Sequence, residues 1–153
     1  MSAGHAIGVV SDTHGLVRPA LVTALRGVER IVHAGDVGAP EVLEALGALA
    51  PVTAVRGNND RGAWARVLPP EARLRVGGVE IVCVHDVAEL ARPPAAGVVV
   101  SGHSHRPGVR RADGVVWLNP GSAGPRRFRL PVSCARLVVR DGRVRVRLVT
   151  LEA

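Results

Sequence analysis

The sequence predicts an α/β fold, and three observations support this class. In the first half, short β-branched runs alternate with helix-forming segments in the order β-α-β-α-β. In the second half, apolar runs are separated by two-residue turn signals that join antiparallel strands. Polar residues that can bind metals follow directly after five of the apolar runs. Because open α/β sheets bind ligands at the carboxyl ends of their strands, we expect one sheet to deliver all these residues to one edge.

Local composition defines the elements of the first half. The predicted strands cover 6–10, 30–33 and 52–55, and the predicted helices cover 18–26 and 40–49. Val and Ile, which favour strands, dominate the strand segments. Pro19 and Pro40 stand near the starts of the two helical segments, where proline suits the first turn. The alternating order predicts parallel strands joined by right-handed crossovers.

Turn-forming dipeptides mark hairpins in the second half. Gly-Gly at 77–78 and Asp-Gly at 141–142 are two-residue hairpin signals between apolar runs. The strands expected here are 72–76, 79–84, 98–101, 115–118, 133–140 and 143–151. Arg and apolar residues alternate along 143–148, which predicts a strand with one solvated face. The segments 92–97 and 124–131 are predicted as loops.

Length and composition limit the class of protein. The 153 residues fit one domain over 1–153, and 47% hydrophobic residues exclude a disordered chain. No apolar stretch reaches the roughly 20 residues that a membrane span needs, so we expect no membrane partner. No cleavable leader is visible before the first strand, and a cytoplasmic location is expected. Cys83 and Cys134 lie in apolar runs and should be buried reduced thiols.

The net charge of +7 comes entirely from arginine, because the chain has no lysine. Arginine binds phosphate through two parallel hydrogen bonds, so a phosphate-bearing ligand is plausible. The simpler interpretation is compositional, since Arg is abundant together with Ala, Gly, Val and Pro. Nucleic acid is a less favoured partner, because aromatic residues for base stacking make up only 2% and the arginines are scattered.

Side chains that bind metals stand at five places where an apolar run ends. They are Asp12 with His14, Asp36, Asn58 with Asp60, His85, and His103 with His105. Carboxylate, amide and imidazole ligands without thiolate suit divalent Mn, Fe or Zn. Each motif alone is weak, since a lone buried histidine is more often a core residue than a ligand. Their joint occurrence in this order indicates a metal site.

The spacing within two of these motifs predicts how their side chains converge. Residues i and i+2 of an extended segment point to the same side. If both segments are extended, Asp12 therefore lies beside His14, and His103 lies beside His105. These two pairs and the single residues Asp36, Asn58 and His85 give seven candidate ligands. Seven ligands are about the number needed for two metals that share one carboxylate.

The order DTHG, GD, GNND, a lone His and GHSH resembles the calcineurin-like metallophosphoesterases, and most closely their small single-domain bacterial and archaeal phosphodiesterases. The resemblance covers 6–122 and includes the NPGS sequence at 119–122. It implies a two-sheet αββα sandwich that hydrolyses a small phosphoester or phosphodiester by attack of a metal-bridging hydroxide. It also implies two divalent ions per chain, with Mn expected first and Fe, Ni, Zn or Co as alternatives.

The resemblance further implies roles for individual residues. Metal one would be held by Asp12, His14, Asp36 and His105, and metal two by Asp36, Asn58, His85 and His103. Asp36 would bridge the two ions. Asp60 would orient a ligand or its loop, and Arg56 would be either a phosphate contact or a surface residue. The sequence does not decide between these two roles for Arg56.

Four residues depart from the family pattern or fall outside it. Asn59 stands where larger phosphatases of the family carry a histidine, which implies weaker help for poor leaving groups. Asp86 follows His85 where the family usually has glycine. It would either hydrogen-bond that imidazole or face the substrate and repel phosphate, and we expect the hydrogen bond. The segment between His85 and His103 is short, so we expect a reduced covering helix. His33 should be buried and hydrogen-bonded, and His5 should be a mobile terminal residue.

Two other functions compete with a phosphodiesterase. The retromer subunit of eukaryotic sorting coats shares the implied fold but acts as a protein-interaction scaffold with an impaired metal site. Scaffolds tend to lose ligands, whereas every expected ligand is present here. A nuclease is the second rival, and single-domain length weighs against it. Whether the chain forms a homo-oligomer is left open by the sequence.

Overall fold

Two five-stranded sheets packed face to face form the body of the protein in the computed structural model, which describes residues 4–152. Sheet A contains β1 (His5–Val10), β2 (Arg30–His33), β3 (Val52–Ala54), β9 (Val132–Arg140) and β10 (Arg143–Glu152), in the order β10-β9-β1-β2-β3. Sheet B contains β4 (Glu71–Val76), β5 (Val79–Val84), β6 (Gly97–Val100), β7 (Gly108–Ala112) and β8 (Val115–Asn119), in the order β4-β5-β6-β8-β7. The predicted α/β sandwich is confirmed.

Each sheet combines parallel and antiparallel pairs, whereas the sequence predicted parallel strands only for the first half. The β1-β2-β3 strands are parallel, and so are β5-β6-β8. The hairpin strands β4, β7 and β10 are antiparallel to their neighbours. The carboxyl ends of parallel strands from both sheets reach one edge of the sandwich. The ligands therefore come from two sheets, and the expectation that one sheet supplies them all was wrong.

Alternating side chains divide the core into two layers. On β9, Ala135, Leu137 and Val139 face sheet B, whereas Cys134 faces the opposite side. That side is covered by α1 (Pro19–Ala24), α2 (Pro40–Gly47) and α3 (Ala63–Arg66). Leu21 and Leu46 from the first two helices are fully buried against the sheet. Both layers of the core are therefore built mainly from Val, Leu and Ile, as expected for a chain with one Phe and no Tyr.

The outer face of sheet B has little helical cover. A single 3-10 helix, Val87–Glu89, follows β5, and Leu90 packs with Trp117 against the apolar residues of that face. This agrees with the short segment expected between His85 and His103. In the described part of the chain, no helix has the length and apolar character needed to cross a membrane.

Several local predictions are confirmed and others need correction. The turns at 77–78 and 141–142 form hairpins, and both cysteines are buried and unpaired. The hairpin between β7 and β8 was missed, although Asp113 and Gly114 carry the same turn signal and have φ values of 51° and 79°. His5 is not a mobile terminal residue, because it begins β1 and its Nδ1 lies 2.9 Å from Glu29 Oε1.

Candidate metal centre

The candidate ligands lie on the loops that follow β1, β2, β3, β5 and β6. Main-chain and side-chain bonds connect these loops across the two sheets. The backbone N–H of Gly102 donates to His85 O over 2.9 Å, and that of His103 donates to Asp12 Oδ2 over 3.1 Å. The loops of both sheets therefore form one connected structure, in which Asp12 is fully buried and Asp36 is 3% exposed.

The side chains of the two Asp/His and His/His pairs come together through left-handed backbone conformations and not through extended segments. Asp12 and His14 have φ values of 55° and 46°, and His103 and His105 have 69° and 64°. Asp36 is also left-handed, at 53°. The expectation that i and i+2 side chains align along a strand was therefore wrong, although both pairs do lie at the site. Left-handed non-glycine residues carry backbone strain, and such strain concentrates at functional sites.

The first cluster is formed by Asp12, His14 and His105. Asp12 Oδ1 lies 3.8 Å from His14 Nε2 and 3.4 Å from His105 Nε2. Asp12 Oδ1 and His14 Nε2 are buried and make no hydrogen bond with the described residues. Buried polar atoms are normally satisfied, so these two unpaired atoms fit a cation at this position. A carboxylate and two imidazoles are the ligand types that a divalent metal takes.

The second cluster is centred on Asp36 and His85. Asp36 Oδ2 lies 3.4 Å from His85 Nε2 and 3.7 Å from His14 Nε2, so this carboxylate stands between both clusters. The ligand atoms of Asp12, Asp36 and His85 all lie within 4.8 Å of one another. Asp12 therefore reaches both clusters as well. The residues present fit two neighbouring cations.

His85 shows how the site satisfies its negative charge. Its Nδ1 lies 2.8 Å from Ala34 O and its Nε2 lies 2.9 Å from Asn58 Oδ1, so each nitrogen faces an acceptor. Only a protonated imidazole donates from both nitrogens. Burial alone would lower the pKa of His85, but the hydrogen bonds to Asp36 and Ala34 and the charges of Asp36 and Asp12 raise it to about 9. A metal ion bound at Nε2 would take the place of that proton.

His103 and Asp86 form the exposed rim. The His103 ring packs edge-on against His85 at 5.2 Å between centroids, and its side chain is 48% exposed. Asp86 does not hydrogen-bond His85, contrary to the expectation. Its Oδ1 accepts from Ala88 N, where it caps the 3-10 helix, and its Oδ2 lies 3.8 Å from His103 Nε2. Asp86 therefore contributes negative charge at the mouth of the site.

Two residues of the GNND sequence hold the loops in place. Asp60 accepts hydrogen bonds from the N–H groups of Val37, Gly38 and Gly57, so it connects the loops after β2 and β3. Asn59 donates to Asp36 from both its backbone and its side chain, at 2.9 and 3.1 Å. These bonds, together with His85, keep the pKa of Asp36 low despite burial, which acts in the opposite direction.

His33 is buried and hydrogen-bonded, as predicted. Its Nδ1 accepts from Gly35 N, so Nε2 carries the proton that Thr13 Oγ1 accepts over 3.0 Å. Thr13 then donates to Val37 O over 2.9 Å. Burial lowers the pKa of His33 to about 4, against the raising effect of nearby carboxylates, so the imidazole is neutral. This chain of bonds joins the loops after β1 and β2 beneath the ligands.

At two positions near the site, neighbouring atoms lie so close to the backbone that only glycine fits. A methyl group on Gly57 would overlap the backbone nitrogen and Oδ1 of Asp36, and one on Gly102 would overlap Ser11 Oγ. Ser11 itself donates to Asp12 Oδ2 over 2.7 Å. This bond and the interaction with His105 lower the pKa of Asp12, although burial acts to raise it.

The predicted ligands lie close together in the structure, and several residues that support them were not predicted. Ser11 and Thr13 were not expected to act as nucleophiles, and their supporting role was not predicted, although they flank Asp12. Ser122 Oγ donates to Asp12 O over 2.9 Å, and Asn119 Nδ2 donates to Gly102 O over 3.0 Å. The NPGS sequence was the available signal for these two. Arg56 is exposed, and its guanidinium makes no hydrogen bond or ion pair with residues 4–152, so its role stays a prediction.

Comparisons with known proteins agree with this geometry. The family profile described as the calcineurin-like phosphoesterase superfamily domain matches residues 6–142. A probable metallophosphoesterase of Methanothermobacter thermautotrophicus is 39% identical over 132 residues, covering 76% of each chain. A solved archaeal phosphodiesterase has a TM-score of 0.76 at 22% identity, covering 94% of this chain and 99% of its own. Vacuolar protein sorting 29 of Cryptosporidium parvum has a TM-score of 0.75 at 19% identity, covering 98% and 99%. At these identities the two structural similarities concern the fold alone.

The lowered pKa of His33 predicts a loss of stability in mild acid. The unfolded imidazole titrates near 6.5 and the folded one near 4, so the unfolded state binds more protons between these values. His33 therefore stabilises the fold fully above pH 6.5 and loses this contribution as the pH falls towards 4, by about 3 kcal/mol at most. Urea unfolding of metal-free protein at several pH values measures this slope.

The variant His33→Gln isolates that contribution. Glutamine can accept from Gly35 and donate to Thr13 but does not titrate, so the decline between pH 6.5 and 4 should be shallower. His14, whose pKa is lowered mainly by burial, contributes in the same direction in both proteins. An equally steep decline in parent and variant would show that His33 is not the titrating group.

Steric exclusion at Gly57 predicts that Gly57→Ala weakens metal binding. The added methyl group would displace Asp36 from its place between the clusters. Gly47→Ala is the matched control, because a methyl group at that helix position meets no atom within 4 Å. Calorimetric titration with Mn²⁺ should show at least about tenfold weaker binding for Gly57→Ala, the size of effect typical of disturbed ligand supports. Equal affinity in both variants would contradict this account of Gly57.

Proposed function

Because the chain belongs to the calcineurin-like phosphoesterase superfamily, we propose that its metal centre hydrolyses phosphodiesters in preference to monoesters. Membership of the family makes the chain a metal-binding phosphoester hydrolase. The finer proposal concerns the number of metals and the substrate class. The observation that carries it is the pair of buried, unpaired ligand atoms on Asp12 and His14, next to a second cluster of Asp12, Asp36 and His85 in which Asp36 Oδ2 lies 3.7 Å from His14 Nε2.

The proposal assigns the ligands in two sets that share Asp36. The first set is Asp12, His14, Asp36 and His105, and the second is Asp36, Asn58, His85 and His103. The pairing of the imidazoles supports this division, because His14 packs with His105 at 5.5 Å and His85 packs with His103 at 5.2 Å. Two divalent ions held there would activate a water molecule and neutralise phosphate charge. We propose Mn as the first choice of metal.

The protein's own groups prepare the site for this chemistry. The Nδ1–H of His85 donates to Ala34 O, so its Nε2 points toward Asp36 and Asn58. Such an outer hydrogen bond orients an imidazole and raises its basicity as a ligand. Asn59 fixes Asp36 through two N–H groups and offers no acidic proton to a leaving group. We therefore propose that the rate depends steeply on the pKa of the leaving group.

The charge at the rim favours diesters. A phosphodiester carries one negative charge, whereas a monoester carries close to two at neutral pH. Asp86, whose side chain is 34% exposed, places a carboxylate 3.8 Å from His103 at the mouth of the site. This charge opposes a dianion more strongly than a monoanion. The solved archaeal phosphodiesterase of similar fold is consistent with this substrate class.

A scaffold function remains the rival, and the donor set opposes it. The similarity to vacuolar protein sorting 29 of Cryptosporidium parvum extends over nearly the whole chain but is a similarity of fold. An interaction scaffold has no need for buried ligand atoms without partners. The orphaned atoms of Asp12 and His14 therefore favour an enzyme.

The proposed activity is tested with bis(p-nitrophenyl) phosphate and p-nitrophenyl phosphate, after reconstitution with Mn, Fe, Ni, Zn or Co in turn. The diester should be the better substrate by kcat/KM. His105→Ala should lose about 100-fold or more, because it removes a proposed ligand. His5→Ala, which changes a histidine paired with Glu29 away from the centre, is the control and should be unchanged. Equal rates in both variants, or no hydrolysis with any metal, would refute the proposal.

Removing the rim charge should change selectivity and leave the metals in place. In Asp86→Asn the side-chain oxygen can still cap Ala88, so the 3-10 helix is retained. The KM for the monoester should fall severalfold, whereas the KM for the diester should change little, since exposed charges contribute modestly. Comparison at low and high salt provides a check, because screening should reduce the difference. A monoester KM that does not move would assign Asp86 a purely structural role.

A further inference from the structure

The chain's single phenylalanine occupies a position that folding does not explain. Phe128 is 92% exposed and has a φ of 55°. It is the first central residue of a turn that closes with Leu130 N donating to Arg127 O over 3.1 Å. A positive φ at this turn position favours glycine, so phenylalanine is strained there. An exposed aromatic ring in a strained turn contributes nothing to the core and points to a ligand.

The loop that carries Phe128 is fixed against the metal centre. Ala123 N donates to Ser11 O over 3.0 Å, and Arg18 Nε donates to Gly124 O over 3.1 Å. Gly124 packs so closely on the backbone of Thr13 that a side chain at 124 would overlap it. The base of the loop therefore contacts the segment that carries two proposed ligands, and the charge of Arg127 acts on the nearby His14 imidazole.

A cleft of about 660 Å³ lies beside the turn. It is lined by Arg106, Phe128, Arg129 and Leu130. Arg106, one of the lining residues, directly follows the proposed ligand His105 in the chain. The volume of the cleft suits a small organic ligand. Its lining combines an aromatic face, an aliphatic side chain and two guanidinium groups without a carboxylate, which suits a planar ring attached to an anion.

We propose that this cleft binds the base of a nucleoside phosphate whose phosphate group lies at the metal centre. The base stacks on Phe128, and the positive charge of Arg106 and Arg129 in the same cleft favours a ligand that carries a phosphate. This proposal rests on the proposed function for the placement of the phosphate. It extends that function by naming a nucleoside as one substituent of the substrate.

Binding of AMP and ribose 5-phosphate tests the proposal directly. These ligands share the phosphate and the ribose, and ribose 5-phosphate carries a hydroxyl group where AMP carries the base. Calorimetry on the Mn-loaded protein should show AMP binding about fivefold or more tightly, as expected for stacking one base on an aromatic side chain. Phosphate release is followed separately. Failure to hydrolyse diesters would remove the proposed function and leave the base preference measurable.

Variants of Phe128 separate stacking from structure. Phe128→Ala and Phe128→Gly should abolish the preference for AMP, and Phe128→Trp should retain it. Phe128→Gly should have a Tm no lower than the parent, because glycine tolerates the positive φ. Val67→Ala, which shortens another exposed apolar side chain outside the cleft, is the control and should keep the preference. The proposal is overturned if the parent binds both ligands equally, or if Phe128→Ala preserves the preference.

A pentaadenylate titration identifies the source of the nucleoside. Affinity well above that for AMP, reduced by Phe128→Ala, would indicate the end of a nucleic acid, and similar affinity would indicate a free nucleotide. Both outcomes support a base site. Pentaadenylate binding that is unaffected by every Phe128 variant would show that the arginines attract phosphate without a base site, and would contradict the proposal.

Discussion

Two buried carboxylates are the constraint on which the rest of the site depends. Asp12 is fully buried and Asp36 is 3% exposed. Burial of a carboxylate is costly unless positive charge and hydrogen bonds compensate it. Four histidines and the N–H groups of neighbouring loops surround the pair, and the protonated His85 supplies positive charge when no metal is bound. A divalent ion would satisfy the same carboxylates more completely, including the unpaired oxygen of Asp12.

This electrostatic requirement accounts for the strained loops. Five proposed ligands have left-handed backbone, and the strain of these loop residues is a cost that the core must offset. Asp60, Asn59, Ser122 and the bonded pair of His33 and Thr13 hold the loops in these conformations. The sandwich serves as a rigid frame, because parallel strands of both sheets end at the same edge and bring distant segments together.

The sequence predicted the parts of this arrangement that depend on local pattern. Strand runs, hairpin dipeptides and the candidate ligand residues could be proposed from the sequence, since each depends on residue type and short-range order. Features that depend on tertiary contact could not. The left-handed backbone at Asp12 and His14 and the turning of Asp86 toward His103 involve contacts between segments far apart in the chain. The hairpin at 113–114 was predictable and was overlooked.

The central claim is that Asp36 joins two metal ions into one centre. Electron paramagnetic resonance of protein loaded with two equivalents of Mn²⁺ tests it most directly, because a shared carboxylate couples the spins of its two ions. The account predicts the multiline spectrum of a coupled pair, which Asp36→Asn should convert to signals of isolated Mn²⁺. A spectrum of isolated Mn²⁺ in the parent at full occupancy, unchanged by Asp36→Asn, would contradict the account.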